Sequence, residues 1–302
     1  MPFGGEDTNM QGRRTDLALE SKQLAEKGAA ELTEESGVRA EEETLCGLSL
    51  TAVEILDESG AARLGKPVGR YLTLALPEQW ESDRERFSSA VEAAAAALRR
   101  LLPEGAREIL VVGLGNAAMT PDALGPEALR HLLVTRHLKG GVSFGRFLSV
   151  SALTAGVVGS SGIEAAEQTE ALSRALHADL VIAIDALAAQ SLSRLLSTVQ
   201  MTDTGIVPGS GVGNHRRALS QTTLGIPVLS LGVPTVVEGR TLALDLLEAA
   251  GNTAETALPP DGLFVTPKDA DERLHALARL LGYALNLALH GLSPEDSFAL
   301  LG

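Results

Sequence analysis

Two uninterrupted apolar runs constrain this chain more than any other feature: EILVVGLGN, from Glu108 to Asn116, and ADLVIAIDAL, from Ala178 to Leu187. A strand with one wet face alternates apolar and polar residues; these do not, so both faces of each must be covered. Such strands belong to parallel sheets sandwiched by helices. IPVLSL, from Ile226 to Leu231, repeats the type. Helical patterns surround them, at Arg84 to Leu102, which is Ala-rich and closed by Pro103, near Glu127 to Leu133, and at Glu164 to Leu176. Leu274, Leu277, Leu281, Leu285 and Leu289 line one side of a terminal helix, and Leu17 to Leu24 starts another. Upstream, Leu48, Leu50 and Ala52 alternate with Thr51, Val53 and Ile55 at a strand period, and Tyr71 to Leu76 reads as the partner strand. The expected fold is α/β: three αβα layers on a mostly parallel central sheet, with a small N-terminal β-rich segment in the same domain.

Composition narrows the partners. A net charge of -14 argues against direct nucleic-acid binding or an anionic membrane surface, since phosphate contacts need clustered Lys and Arg. The single cysteine, Cys46, allows no intrachain disulfide and no CxxC zinc pair. No continuous apolar run reaches ~18 residues, and the start MPFGGEDTNM is acidic and Gly-rich where a signal peptide needs a basic and then an apolar stretch. A cytoplasmic protein is expected.

In open parallel sheets ligands bind beyond the carboxyl ends of the strands, and there each apolar run delivers an aspartate. Asp122 lies in the loop GLGNAAMTPDALGP, and Asp185 sits at the tip of VIAID. A carboxylate following VIAI is costly unless paired, hydrogen-bonded or protonated. Two carboxyl groups in one crevice share a proton, so that one activates water while the other protonates a leaving group. Each also has a plainer reading: Asp122 as a helix cap, Asp185 as a tie to a neighbouring loop.

Gly115 and Asn116 in GLGN form a tight turn that lets the backbone approach a substrate; the dinucleotide fingerprint fails because Ala118 stands where its last glycine belongs. Gly209, Ser210, Gly211 and Gly213 in PGSGVGNHRR form a second loop, suited to a peptide carbonyl or an anion, or simply mobile. None of the six histidines has HExxH spacing, which leaves a zinc protease unsupported, and Ser210 lacks a GxSxG elbow.

RRTDLALE, GRYLTL, VVGLGN, TPDALGP, LVTRHL, GSSGIE, VIAIDALAA, TDTGIVPGSGVGN, LGIPVLSLGVPTVV and VTPK follow one another over most of the chain. In this series the sequence resembles the germination proteases of spore-forming bacteria. The resemblance implies an atypical aspartic-type endopeptidase, similar in fold to hydrogenase maturation proteases, with Asp122 and Asp185 as catalytic pair and no cofactor. It implies a zymogen that removes residues 1–16 by cutting between Asp16 and Leu17, leaving 17–302 as a single peptidase domain. It further implies small acid-soluble spore proteins as substrates, residence in the spore core, and a homo-oligomer, commonly a tetramer. D-L-A-L-E around the bond imitates the family's substrate sites, which place an acidic residue before the cut, then a large apolar residue, alanine and a later glutamate. Gln190 departs from the arginine common in relatives. Two other readings stay open: a metal-dependent peptidase with Glu164 or a histidine as third ligand, and a module binding a nucleotide or anion through its glycine loops.

Overall fold

The computed structural model describes residues 15–28, 36–138, 147–209, 216–251, 259–260 and 262–301. Most of the expected propeptide, together with Ser210, Gly211, Gly213 and His215, lies outside them. One mixed sheet organises the rest. Its strands are β1 (Val38–Leu45), β2 (Leu48–Ile55), β3 (Gly69–Ala75), β4 (Glu108–Leu114), β5 (Ser149–Ala155), β6 (Leu180–Ala189), β7 (Thr198–Thr202), β8 (Val228–Glu238) and β9 (Phe264–Val265). They run in the order β1-β2-β3-β7-β8-β6-β4-β5, with β9 paired to β8.

Only β5, β4, β6 and β8 are mutually parallel. The pairings from β1 through β3 and β7 to β8, and that of β9, are antiparallel. The expectation of a mostly parallel sheet is therefore corrected to a mixed one. The cause is β7, a five-residue strand, TVQMT, too short and too polar to signal itself. It joins the N-terminal meander to the parallel half, so the β-rich segment extends the main sheet. At the tip of the meander Cys46 and Gly47 have φ of 50° and 84°, the left-handed pair that a two-residue hairpin turn requires.

The helices are α1 (Ala18–Gly28), α2 (Glu58–Leu64), α3 (Arg84–Arg99), α4 (Leu124–Leu129), α5 (Val158–Ser161), α6 (Ala165–Leu176), α7 (Gln221–Leu224), α8 (Gly239–Ala249), α9 (Ala270–His290) and α10 (Pro294–Leu301). They cover both faces, as the unalternating strands demand. Ile109 and Val111 of β4, Leu180, Ile182 and Ile184 of β6, and Leu229 and Leu231 of β8 join the buried faces of α3, α4 and α9. The residues between them, Leu110, Val112, Val181 and Ala183, pack with Ala165 and Ala166 of α6 on the other face. The alanines of α3 let it lie close against α9, where Phe87 meets Tyr283 edge-on at 6.0 Å.

Two elements differ from their sequence patterns in ways that shape the site. The α4 helix starts at Leu124, ahead of Glu127, because Gly125 permits a contact no other residue could make. A Cβ there would lie 2.3 Å from the Leu114 carbonyl oxygen and 2.6 Å from that of Ile184. The helix thus sits directly on the end of β4 and the middle of β6. Strand β8 continues past Leu231 through Pro234, where the pairing with β6 shifts register at Leu187 and Ala188. Pro234 cannot donate to a ladder, but its carbonyl accepts the Leu196 N–H at 2.8 Å.

Candidate active site

Asp185 lies within β6, is 6% exposed, and accepts the Ala186 N–H at 2.9 Å through Oδ1. Burial pushes its carboxyl well above the ordinary aspartate range. The Asp122 charge adds to that shift, as does Asp16, while the Ala186 amide and Arg216 oppose it. Asp122 occupies a 3-10 turn, Thr120–Asp122, just ahead of α4. Its carboxyl is also raised by burial, against the Asn116 N–H and the Arg216 charge. The helix seat at Gly125 therefore brings the two aspartates within electrostatic reach, with one cation, Arg216, acting on both.

GLGN serves this turn. Gly115 has φ of 105°, and a Cβ on it would stand 2.1 Å from the Asp122 carbonyl oxygen. Asn116 donates its N–H to that oxygen at 2.9 Å, and its side chain caps the Ala118 N–H at 3.0 Å. These two residues hold Asp122; their contact with a substrate is a separate matter. Gly209, with φ of 73°, is the last described residue before the gap that contains the rest of its loop.

The segment carrying the expected cleavage position is docked on the same strand as Asp185. Asp16 donates its N–H to the Ala188 carbonyl at 2.9 Å, and its Oδ2 accepts the Ala188 N–H at 2.8 Å. Leu17 is fully buried among Leu187, Ala189, Leu195 and Val237. Gln200 of β7 spans the Asp16–Leu17 bond. Its Nε2 donates to the Asp16 carbonyl at 3.0 Å and its Oε1 accepts the Ala18 N–H at 2.8 Å. Glu20, 3% exposed, accepts the N–H groups of Gln190 (2.7 Å) and Ser191 (3.1 Å) and the Thr15 hydroxyl. Its carboxyl is raised by burial, against those hydrogen bonds and the charge of Arg194. Lys66, after α2, donates to the Thr15 carbonyl at 3.2 Å. Burial lowers its ammonium while Asp16 and Glu20 pull it back up.

Glu164 is spent elsewhere: it forms a capping box at the start of α6 and accepts the Arg217 N–H at 3.4 Å. Among the described residues no group of three His, Cys, Asp or Glu side chains converges as a metal site. Sequence reasoning missed Gln200, Lys66, Glu20 as a buried anchor, and Arg216. Arg216 had a signal in the arginine pair closing the second glycine loop, and Glu20 in the D-L-A-L-E pattern, which did not reveal its burial; Gln200 and Lys66 are recruited by folding across long sequence separations.

Comparison with known proteins agrees on one family. Residues 15–250 match the family model described as germination protease. A germination protease of Caldanaerobacter subterraneus is 39% identical over 325 aligned positions, covering 96% of this chain and 98% of the relative. One from Clostridium perfringens is 38% identical, covering 91% and 94%, and one from Priestia megaterium 41%, covering 80% and 68%. Among solved structures, the [NiFe] hydrogenase maturation protease HycI from Thermococcus kodakarensis aligns with a TM-score of 0.37 at 20% identity, over 63% of this chain and 99% of that one.

Proposed function

Since the chain belongs to the germination protease family, and is therefore an endopeptidase, we propose that it initiates degradation of small acid-soluble spore proteins after cutting itself between Asp16 and Leu17. The observation that carries this reading is the docking of Asp16 and Leu17 on β6 three residues beyond Asp185. In this reading residues 1–16 are the propeptide and 17–302 the peptidase domain.

Asp122 and Asp185 act as the acid–base pair. The more deeply buried Asp185 keeps the shared proton, and Asp122, near the Arg216 charge, carries the negative charge. Asp122 takes a proton from water as its oxygen attacks the carbonyl carbon. Asp185 gives its proton to the leaving amine, and the peptide C–N bond breaks. The products are a carboxylic acid and a new N-terminus, and no cofactor takes part. In this reading Gly209, Ser210, Gly211 and Gly213 serve to position the substrate chain, as do Gly115 and Asn116, which also hold the Asp122 turn.

The acidic chain has no use for direct nucleic-acid contact, and no helix among the described residues is long and apolar enough to cross a membrane. Its place of action is the spore core, and the assembly is a homo-oligomer, a tetramer in keeping with the resemblance. The test is mass spectrometry of the purified chain and its Asp185→Asn variant in mildly acidic buffer. Loss of residues 1–16 from the wild type alone is the expected result. Equal loss from both removes Asp185 from the chemistry.

A further inference from the structure

The sheet register places Asp185 and Gln200 in one row. Asp185 pairs with Gly232 of β8, and Gly232 pairs with Gln200 of β7. Residues directly paired across strands point to the same face. That face is opposite the α3–α9 layer, which takes the alternating neighbours Ile184, Leu231, Val199 and Met201. Two interstrand spacings put the Cα atoms of Asp185 and Gln200 roughly 10 Å apart. Between them stands Gly232, and the Leu187 side chain lies over it: a Cβ on that glycine would stand 2.5 Å from Leu187 Cγ. The docked peptide joins Leu187 through its own Leu17 and meets the Gln200 carboxamide through the Asp16 carbonyl.

The peptide docked there shows which way the carboxamide points. The Ala18 backbone N–H can only donate, so the Gln200 atom facing it at 2.8 Å is the oxygen. The other atom is then the NH2 group, and it donates to the Asp16 carbonyl oxygen at 3.0 Å. That carbonyl belongs to the bond which, in the function proposed above, is cut. Gln200 is only 6% exposed, so its N–H acts where water competes little. A donor placed on a carbonyl oxygen in such a site stabilises the negative charge that the oxygen gains on attack.

We infer that Gln200 is a catalytic residue, the donor that polarises the scissile carbonyl and holds the oxyanion of the tetrahedral intermediate. This rests on the endopeptidase reading with its bond at Asp16–Leu17. Water oxygen adds to the Asp16 carbonyl carbon as Asp122 accepts its proton, and the carbonyl π pair moves onto the oxygen facing Nε2. When the intermediate collapses, that pair re-forms the carbonyl, the C–N bond breaks, and Asp185 protonates the Leu17 nitrogen. Oε1, holding the Ala18 N–H, keeps the leaving side in register. Gln200 exchanges no proton; its contribution is electrostatic.

The experiment uses the full chain with Gln200→Met and Gln200→Glu variants, reading self-processing and turnover of a peptide copied from residues 11–25. Gln200→Met should lower kcat by about 10²–10³ with KM nearly unchanged, the size of effect seen on removing one oxyanion donor. Gln200→Glu should be as poor at neutral pH and recover as the medium is acidified, because only a protonated carboxyl supplies the missing donor. A residue that merely docks the segment would recover in KM, whereas an oxyanion donor recovers in kcat. Wild-type kcat in Gln200→Met, or a change confined to KM, overturns the assignment and leaves the aspartate pair standing. A Gln200→Met chain that fails to fold leaves the decision to Gln200→Glu, whose flat pH response would overturn it equally. If the wild type cuts neither itself nor the peptide, the endopeptidase reading at this bond falls first.

Discussion

Replacing Gly125 by alanine should separate the positioning of Asp122 from its chemistry. The new Cβ would lie 2.3 Å from Leu114 O, 2.5 Å from Leu114 N and 2.6 Å from Ile184 O, all backbone atoms that no rotamer change can move. Ordinary contact begins at 3.4 Å, so the start of α4 must withdraw from β4 and β6 by about 1 Å. Asp122 lies three residues upstream in the turn bonded into that helix, where Ala123 donates to Thr120 and Glu127 to Ala123. It is carried along. Displacing a catalytic group by this distance costs about 10²-fold in rate, or ~2.7 kcal/mol of barrier. The overpacking itself costs about 1–3 kcal/mol of stability, which the large core tolerates. The assay is the rate at which the chain beginning at Leu17 forms, followed by mass spectrometry, with near-UV circular dichroism to show that the variant is folded. Gly159→Ala is the control, since a Cβ there meets nothing within 4 Å. A folded Gly125→Ala protein that processes at the wild-type rate would refute the idea that this seat sets the aspartate geometry.

Asp185→Asn should raise thermal stability, and more so at neutral than at acidic pH. The folded carboxyl titrates above its unfolded value of 3.8, so the native state binds the extra proton and stability falls as pH rises through that window. The asparagine removes that loss; melting curves across the acid-to-neutral range that keep a constant gap would contradict it. Leu17→Ala should loosen the docked segment by about 2–5 kcal/mol, since the side chain is fully buried, and processing should slow sharply while the melting temperature of the remaining fold changes little. Glu20→Gln keeps one acceptor oxygen where two backbone amides each use their own, so one of them faces an NH2 group at a cost of about 1–3 kcal/mol, and hydrogen exchange at Gln190 or Ser191 should accelerate.

The buried strands β4 and β6 were legible because an unalternating apolar run of that length, ended by glycine or aspartate, is stable only with both of its faces covered. The aspartates were legible because a charge at such a strand end is conspicuous. The long helices α3 and α9 followed from their apolar spacing. Strand β7 was not readable: TVQMT is short, and its polar residues are buried by what crosses them rather than by their own pattern. With β7 went the mixed character of the sheet and the position of Gln200. Lys66 reads as one more surface lysine, and only the arrival of Thr15, Asp16 and Glu20 gives it a role. The tight turn of GLGN was legible, but not that Gly115 admits the chain's own Asp122 carbonyl, which a Cβ there would meet at 2.1 Å.

The groups that grip residues 15–20 come from distant parts of the chain: Lys66 after α2, Ala188 in β6, Gln200 in β7. Sequence separations of 51, 172 and 184 residues must close before the scissile bond is seated. Under the proposed function, a nascent or half-assembled chain therefore has no formed site in which to cut itself. Self-cleavage is then a checkpoint on assembly, and a chain that begins at Leu17 would carry in its first residue a record that its sheet was once complete.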